Sequence, residues 1–147
     1  MKSNFNRKAT NAVITLKSMQ KVDGDTDRSR FDAEADYQYS EDRSTISFTQ
    51  FNAEENANQK TEITVMEHDV VTILRSGCSQ SEMIVQVGQT HPCEYVTPMG
   101  TLELDIYGLD VETHLSPSGG TVLLNYAIQI DGTAASVNTV ELEIKLK

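Results

Sequence analysis

Near its C-terminal end the sequence reads Val140-Glu-Leu-Glu-Ile-Lys-Leu-Lys147, in which an apolar side chain alternates with a charged one. Successive side chains of a β-strand point to opposite faces, so this period of two predicts a strand with one face on a core and one on water. The same alternation runs through Leu102–Tyr107 and Val122–Ile130. The three segments together predict an antiparallel sheet.

Weaker strand patterns precede these segments, and turn residues separate them. We place these strands at residues 12–22, 30–39, 44–51, 61–67, 70–76, 82–87 and 93–97. Asp131-Gly132 is the clearest turn signal, because both residues tolerate the positive φ of a two-residue hairpin. The polar segment 51–59 has no apolar stripe and is interpreted as a long loop.

These patterns give about eight to ten antiparallel strands in hairpin order. Strands of this kind bury their apolar faces by closing into one barrel, which also removes exposed sheet edges. We therefore predict an all-β fold, a single closed antiparallel barrel domain over residues 1–147, with a two-sheet sandwich as the alternative.

Composition restricts the class of function. The chain has 147 residues and a formal net charge of −10, which disfavours binding to nucleic-acid phosphates or to anionic membranes. No apolar run approaches the roughly 20 residues that span a bilayer, and Lys17 interrupts the run Ala12–Leu16. With Cys78 and Cys93 interpreted as free thiols, we expect a cytoplasmic protein.

Two segments raise the question of a metal site. Asp23, Asp25, Asp27 and Glu34 have the spacing of a calcium loop, but Arg28 occupies the position that needs glycine and the flanks alternate like strands. We interpret Asp23-Gly24 as a hairpin turn, with Glu34 on the next strand. A zinc set could be drawn from Cys78, His91, Cys93 and His114, but its spacing lacks a paired anchor, so no metal is predicted.

A fixed order of short motifs gives the sequence a family resemblance. They are Arg75-Ser-Gly77, Met83, Gly88, His91, Tyr95 and Thr97-Pro-Met-Gly100, followed by Leu124, Tyr126, Ile128, Ile130, Gly132, Leu142 and Ile144. In these positions the chain resembles the YwiB-like bacterial proteins, a domain-of-unknown-function family with a calycin-type, lipocalin-like β-barrel. The resemblance implies that fold in a small cytoplasmic bacterial protein, and it implies no activity, cofactor or catalytic residue.

One cluster could bind a ligand at the mouth of the barrel. Arg75 ends an apolar run, while His91, Tyr95 and Thr97 alternate along a later strand. A guanidinium, an imidazole and two hydroxyls suit a carboxylate or phosphate. The alternative is a structural network, in which Arg75 pairs with an acidic neighbour and Tyr95 caps the barrel.

The leading hypothesis is therefore non-enzymatic binding of a small amphipathic or anionic ligand in the barrel. No nucleophile elbow or glycine-rich phosphate loop supports catalysis, and no cofactor is predicted. The alternative is an interaction module with a filled barrel, which meets another protein or forms a homo-oligomer.

Overall fold

The computed structural model describes residues 10–147, and the strands follow one another as hairpins. Ten strands form one sheet: β1 Ala12–Val22, β2 Asp25–Gln38, β3 Arg43–Asn52, β4 Ala57–Met66, β5 Val70–Gly77, β6 Ser81–Val85, β7 Thr90–Thr97, β8 Gly100–Ser116, β9 Gly119–Ile130 and β10 Thr133–Leu146. A single 3-10 turn, Glu67–Asp69, joins β4 to β5. The predicted all-β antiparallel fold is confirmed, with ten strands.

The sheet runs in the order β6-β5-β4-β3-β2-β1-β10-β9-β8-β7, so the first strand pairs with the last. Each neighbouring pair in this order is antiparallel. The β1–β10 register places Leu16 opposite Leu142 and Ile14 opposite Ile144. The alternation seen in the sequence therefore puts one continuous set of apolar side chains on the inner face.

The edge strands β6 and β7 lie side by side, which makes the barrel nearly closed. Gln80 and Val96 exchange two backbone hydrogen bonds of 2.8 Å at one end, and the Gly88 amide donates to the Gly108 carbonyl at the other. Gly108 is required here, since a Cβ at this position would lie 2.1 Å from the Gln86 carbonyl oxygen. A side chain would push the segment after β6 away from β8.

Large apolar side chains pack closely towards one end of the inner space, beneath a pocket of about 420 Å³ that the β2–β3 and β4–β5 turns border. Eight large side chains there are less than 2% exposed: Ile14, Ile46, Val71, Val85, Ile106, Val122, Leu124 and Leu142. We call this the packed end. The other end, which we call the open end, is bordered by the turns that join β1 to β2, β3 to β4, β5 to β6, β7 to β8 and β9 to β10.

The two hairpin turns expected from Asp-Gly pairs are confirmed. Asp23 and Gly24 have φ of 49° and 85°, and Asp131 and Gly132 have φ of 53° and 77°. Positive φ at both central residues matches the twist of the flanking strands. Glu34 lies on β2, as the hairpin interpretation of the acidic segment requires.

The loop predicted over residues 51–59 is wrong. β3 continues to Asn52 and β4 starts at Ala57, so only four residues form the turn. Phe51 pairs with Asn58, and the Asn52 side chain accepts a hydrogen bond from the Glu55 amide. Cross-strand backbone bonds hold this polar hairpin, and they leave no trace in hydrophobic periodicity.

β8 is also longer than predicted, and it runs through an irregularity. Its register against β9 shifts between Gly108 and Asp110, which leaves Leu109 unpaired. This bulge changes the face on which later side chains lie, so that Ile106 and Val111 are both buried. Within residues 10–147, no helix is long and apolar enough to cross a membrane.

Candidate functional site

A cavity of about 530 Å³ occupies the open end of the barrel. Side chains from β1 to β5 and from β9 and β10 line it. The apolar floor of the cavity borders the packed end. Two of the lining side chains, Phe31 and Phe48, pack against each other with ring centroids 5.7 Å apart. The size falls within the range of small-molecule pockets, roughly 300–1,000 Å³.

Arg75 carries the only charge among the described residues that line this cavity. It lies near the end of β5, opposite Thr61 on β4 and Ser81 on β6. Within the part of the chain that the structure describes, its guanidinium forms no hydrogen bond and no ion pair. Glu82 and Glu94 border a neighbouring surface pocket together with Arg75, but neither of them forms an ion pair with it in the described chain.

Three buried polar side chains line the same cavity: Thr61, Tyr126 and Asn138, which are 3%, 8% and 7% exposed. Neither the Thr61 hydroxyl nor the Tyr126 hydroxyl has a hydrogen-bond partner in the described chain. The Asn138 amide donates to the Ser136 hydroxyl at 2.9 Å. In residues 10–147, every side-chain polar atom that is fully shielded from solvent has a hydrogen-bond partner. Because the two hydroxyls have no partner, both must be accessible to open space. The cavity is the open space that they line.

Arg75 and Tyr126 interact across the cavity. Burial raises the pKa of Tyr126, and the positive charge of Arg75 opposes this rise, while Cys93 adds to it. The phenol is therefore neutral at neutral pH and can donate a hydrogen bond next to a fixed positive charge. A carboxylate or another anion is the partner that these two groups share.

The structure separates the four predicted site residues. Arg75 lines the cavity, and Tyr95 is placed at the same end by the bridge between Val96 and Gln80. The His91 Nε2 atom bonds to Gln86 Oε1 at 3.0 Å, where β6 and β7 meet. Thr97 holds the turn after β7, since its hydroxyl donates to the Gly100 carbonyl and accepts from the Met99 amide.

The residues weighed as zinc ligands are also dispersed. Cys78 lies in the turn after β5, where its thiol donates to Gln59 Oε1, whereas His114 lies on β8 opposite Thr121. Both cysteines are free. Residues 10–147 contain no group of three or more His, Cys, Asp or Glu side chains arranged to hold a metal ion.

Sequence reasoning missed Thr61, Tyr126 and Asn138, although a signal was present. Each lies on the inward face of its strand: Thr61 in step with Ile63 and Val65, and Asn138 in step with Val140 and Leu142. A polar residue on an otherwise apolar inner face either bonds to a neighbour or faces a cavity. Only the folded barrel shows which of the two applies.

A family model described as a domain of unknown function, DUF1934, matches residues 14–144. The chain belongs to the DUF1934 family. The YwiB-like family predicted from the motifs is therefore confirmed.

A solved structure with the same fold is the ywiB protein from Bacillus subtilis. It superposes on this DUF1934 chain with a TM-score of 0.82 at 18% identity, over 94% of this chain and 92% of that one. No curated protein matches the chain. At this identity the likeness establishes the barrel fold alone.

Proposed function

We propose that this protein binds a small, negatively charged, amphipathic molecule in the cavity at its open end, without catalysing a reaction on it. The supporting observation is Arg75, the one charged side chain among the described lining residues of a protein with net charge −10. An unpaired guanidinium beside unpaired hydroxyls recognises an anion, and the apolar floor suits the rest of such a molecule.

The proposed contacts revise the group predicted from sequence. Arg75 stays as the anion-binding residue, and Tyr95 stays as a residue at the mouth. His91 and Thr97 are left out because each side chain already has a protein partner. Tyr126, Thr61 and Asn138 take their place as the polar groups inside the cavity.

The test uses anilinonaphthalene sulfonate, an amphipathic anion whose fluorescence rises in an apolar pocket. We expect saturable binding to the unaltered protein and binding at least about tenfold weaker in Arg75→Met, since a charge-assisted hydrogen bond contributes about 1.5–3 kcal/mol. Arg43→Met is the matched control, because Arg43 is exposed at the start of β3 and away from the cavity. Equal binding by the two variants would refute the proposal.

We also propose a cytoplasmic location. The support is that Cys78 and Cys93 are free thiols, as expected in a reducing compartment. Fractionation of the native cells with an antibody to this protein checks the location, and recovery with an extracellular fraction would contradict it.

The second candidate function is self-association, which two charged outer surfaces favour. A mainly basic groove lies on β1, β2 and β10, where Lys17 stands between Arg30 on β2 and Glu141 on β10, with Arg28 nearby. An acidic cleft lies on β7 and β8, where Glu94 stands directly opposite Glu103. Like charges in direct cross-strand pairs repel. Glu141 and Asp32 offset part of the repulsion in the groove, whereas the described lining of the cleft holds no cation, so a basic surface of a second copy would relieve the Glu94–Glu103 repulsion.

The strand order makes this association head-to-tail. The groove is centred on β1, three strands from β8 and four from β7, so the groove and the cleft are separate surfaces and their contact joins unlike patches of two copies. Sedimentation velocity at low salt should then show oligomers that dissociate at high salt and in Arg28→Glu/Arg30→Glu. Lys145→Glu on β10 is the control and should still associate. A monomer at all salt concentrations would contradict self-association and leave ligand binding untouched.

A further inference from the structure

Most polar lining groups lie above an apolar floor, with Phe48 level with Thr61 and Ile128 nearer the mouth than Tyr126. A polar belt is formed by Arg75 opposite Thr61 on one wall and by Asn138, opposite both Tyr126 and Gln20, on the other. Two residues further from the mouth along the same strands lie Ile63, Ile73 and Val140. Two residues of a strand span about 7 Å, so the apolar floor lies about that far below the belt.

This order of layers sets the orientation of a ligand. Arg75 is an exposed residue, so its guanidinium is reached from water, whereas Ile63 and Ile73 are buried below it. An anion held at the belt keeps contact with solvent, while an anion at the floor would lose its hydration without a partner. The apolar part of the ligand must therefore lie on the floor.

The charge of the cavity sets the class of headgroup. Arg75 supplies one positive charge, and the other described lining side chains are neutral. A carboxylate balances that charge and can accept both a forked bond from the guanidinium and a bond from a neutral hydroxyl. A phosphate dianion would bring an excess negative charge into a protein of net charge −10.

The volume sets the size of the ligand. About 530 Å³ corresponds to on the order of 18 non-hydrogen atoms, at about 30 Å³ for each water-sized group. Resting on the proposed function, we infer that the ligand is a monocarboxylic acid of about this size, which enters apolar end first and leaves its carboxylate at the belt between Arg75, Thr61 and Tyr126.

Titration calorimetry with ten-carbon probes tests this inference. Decanoate should bind, and decanedioate should bind at least about tenfold more weakly, because its second carboxylate would be buried on the floor without a partner. Decyl phosphate and decylamine should also bind more weakly than decanoate.

The possible outcomes separate this inference from the proposed function. Equal binding of decanedioate and decanoate would overturn the orientation, and equal binding of decyl phosphate or decylamine would overturn the headgroup class. Equal binding of decanedioate or decyl phosphate would leave anion binding intact, whereas equal binding of decylamine would also contradict the anionic ligand of the proposed function. Failure of every probe, with anilinonaphthalene sulfonate also unbound, would remove the proposed function and this inference together.

Tyr126→Phe and Thr61→Val test the belt without changing side-chain size much. Each should weaken decanoate severalfold while leaving decanol binding unchanged, since decanol has no charge to stabilise. Tyr37→Phe, which removes a hydroxyl at the packed end, is the matched control. Equal weakening of decanoate and decanol would show that the variants disturb the cavity as a whole, and would contradict a direct contact with the carboxylate.

Discussion

The packed end and the open end of this barrel are built from the same strands but filled differently. On β9, Val122 and Leu124 are sealed in the core, and Tyr126, next on the same face, lines the cavity. On β10, Leu142 is sealed whereas Asn138 lines the cavity. One strand can thus contribute close packing at one end and polar cavity-lining groups at the other. Close packing at the packed end can therefore offset the stability lost at the open end, where side chains border a cavity.

The largest expected difference between the two ends is the loss of stability when a leucine is replaced by alanine. Leu16 and Leu142 are direct cross-strand partners, but Leu142 is 1% exposed and Leu16 is half-buried beside the cavity. We expect Leu142→Ala to lower the free energy of unfolding by about 3 kcal/mol and Leu16→Ala by about 1 kcal/mol, because atoms beside existing empty space lose less packing. Urea denaturation measures both. Equal losses would mean that the two ends are packed alike.

A smaller effect separates two buried tyrosines. The Tyr37 hydroxyl donates to the Ser116 carbonyl at 2.7 Å at the packed end, whereas the Tyr126 hydroxyl has no partner in the described chain. We expect Tyr37→Phe to cost about 1 kcal/mol and Tyr126→Phe to change stability by less than about 0.5 kcal/mol. The same denaturation experiment decides this. A cost for Tyr126→Phe as large as that for Tyr37→Phe would reveal a protein partner inside the cavity.

The smallest effect concerns alkaline pH. Burial holds the pKa of Tyr126 above its ordinary value, so the unfolded chain loses that proton first and stability falls as the pH rises past about 10. Removing the charge in Arg75→Met should raise the pKa of Tyr126 further and steepen the fall. Tyrosinate absorbance titration and urea unfolding at pH values from about 9 to 11 measure both changes.

Two further variants complete the alkaline experiment. Tyr126→Phe should remove the titration of the phenol that has the raised pKa. Arg43→Met should titrate like the unaltered protein because Arg43 lies away from the cavity. Identical titrations of Arg75→Met and the unaltered protein would show that the guanidinium does not face the phenol.

The sequence predicted the strands correctly where one face of the strand is buried and the other is exposed. The alternation from Val122 to Ile130 and from Val140 to Lys147 predicted two strands. In the structure these segments correspond to parts of the longer strands β9 and β10. The hairpin around residues 53–56 was missed because residues 57–60 at the start of β4 show no alternation of apolar and polar side chains, and backbone pairing alone defines them. The bulge at Leu109 was missed for a related reason, since a register shift depends on the partner strand.

The candidate site was less accessible. Arg75 could be singled out because a cation ends an apolar strand, but the positions of His91 and Thr97 along β7 did not reveal that Gln86 and the Gly100 carbonyl occupy their side chains. Tyr126 and Thr61 lie 65 residues apart in the chain, so only strand pairing brings them to one cavity. Contacts of this kind do not appear in any local pattern.

The sequence by itself determined that this protein is an antiparallel sheet with one apolar face, because side-chain direction along a strand has a period of two that local residues reveal. It also determined the Asp-Gly hairpins, since positive φ is a property of the residues in the turn. Tertiary structure alone decided that one end of the barrel is filled and the other left open. Whether the interior is filled depends on the combined volume of side chains from ten strands, which no single segment of the sequence reveals.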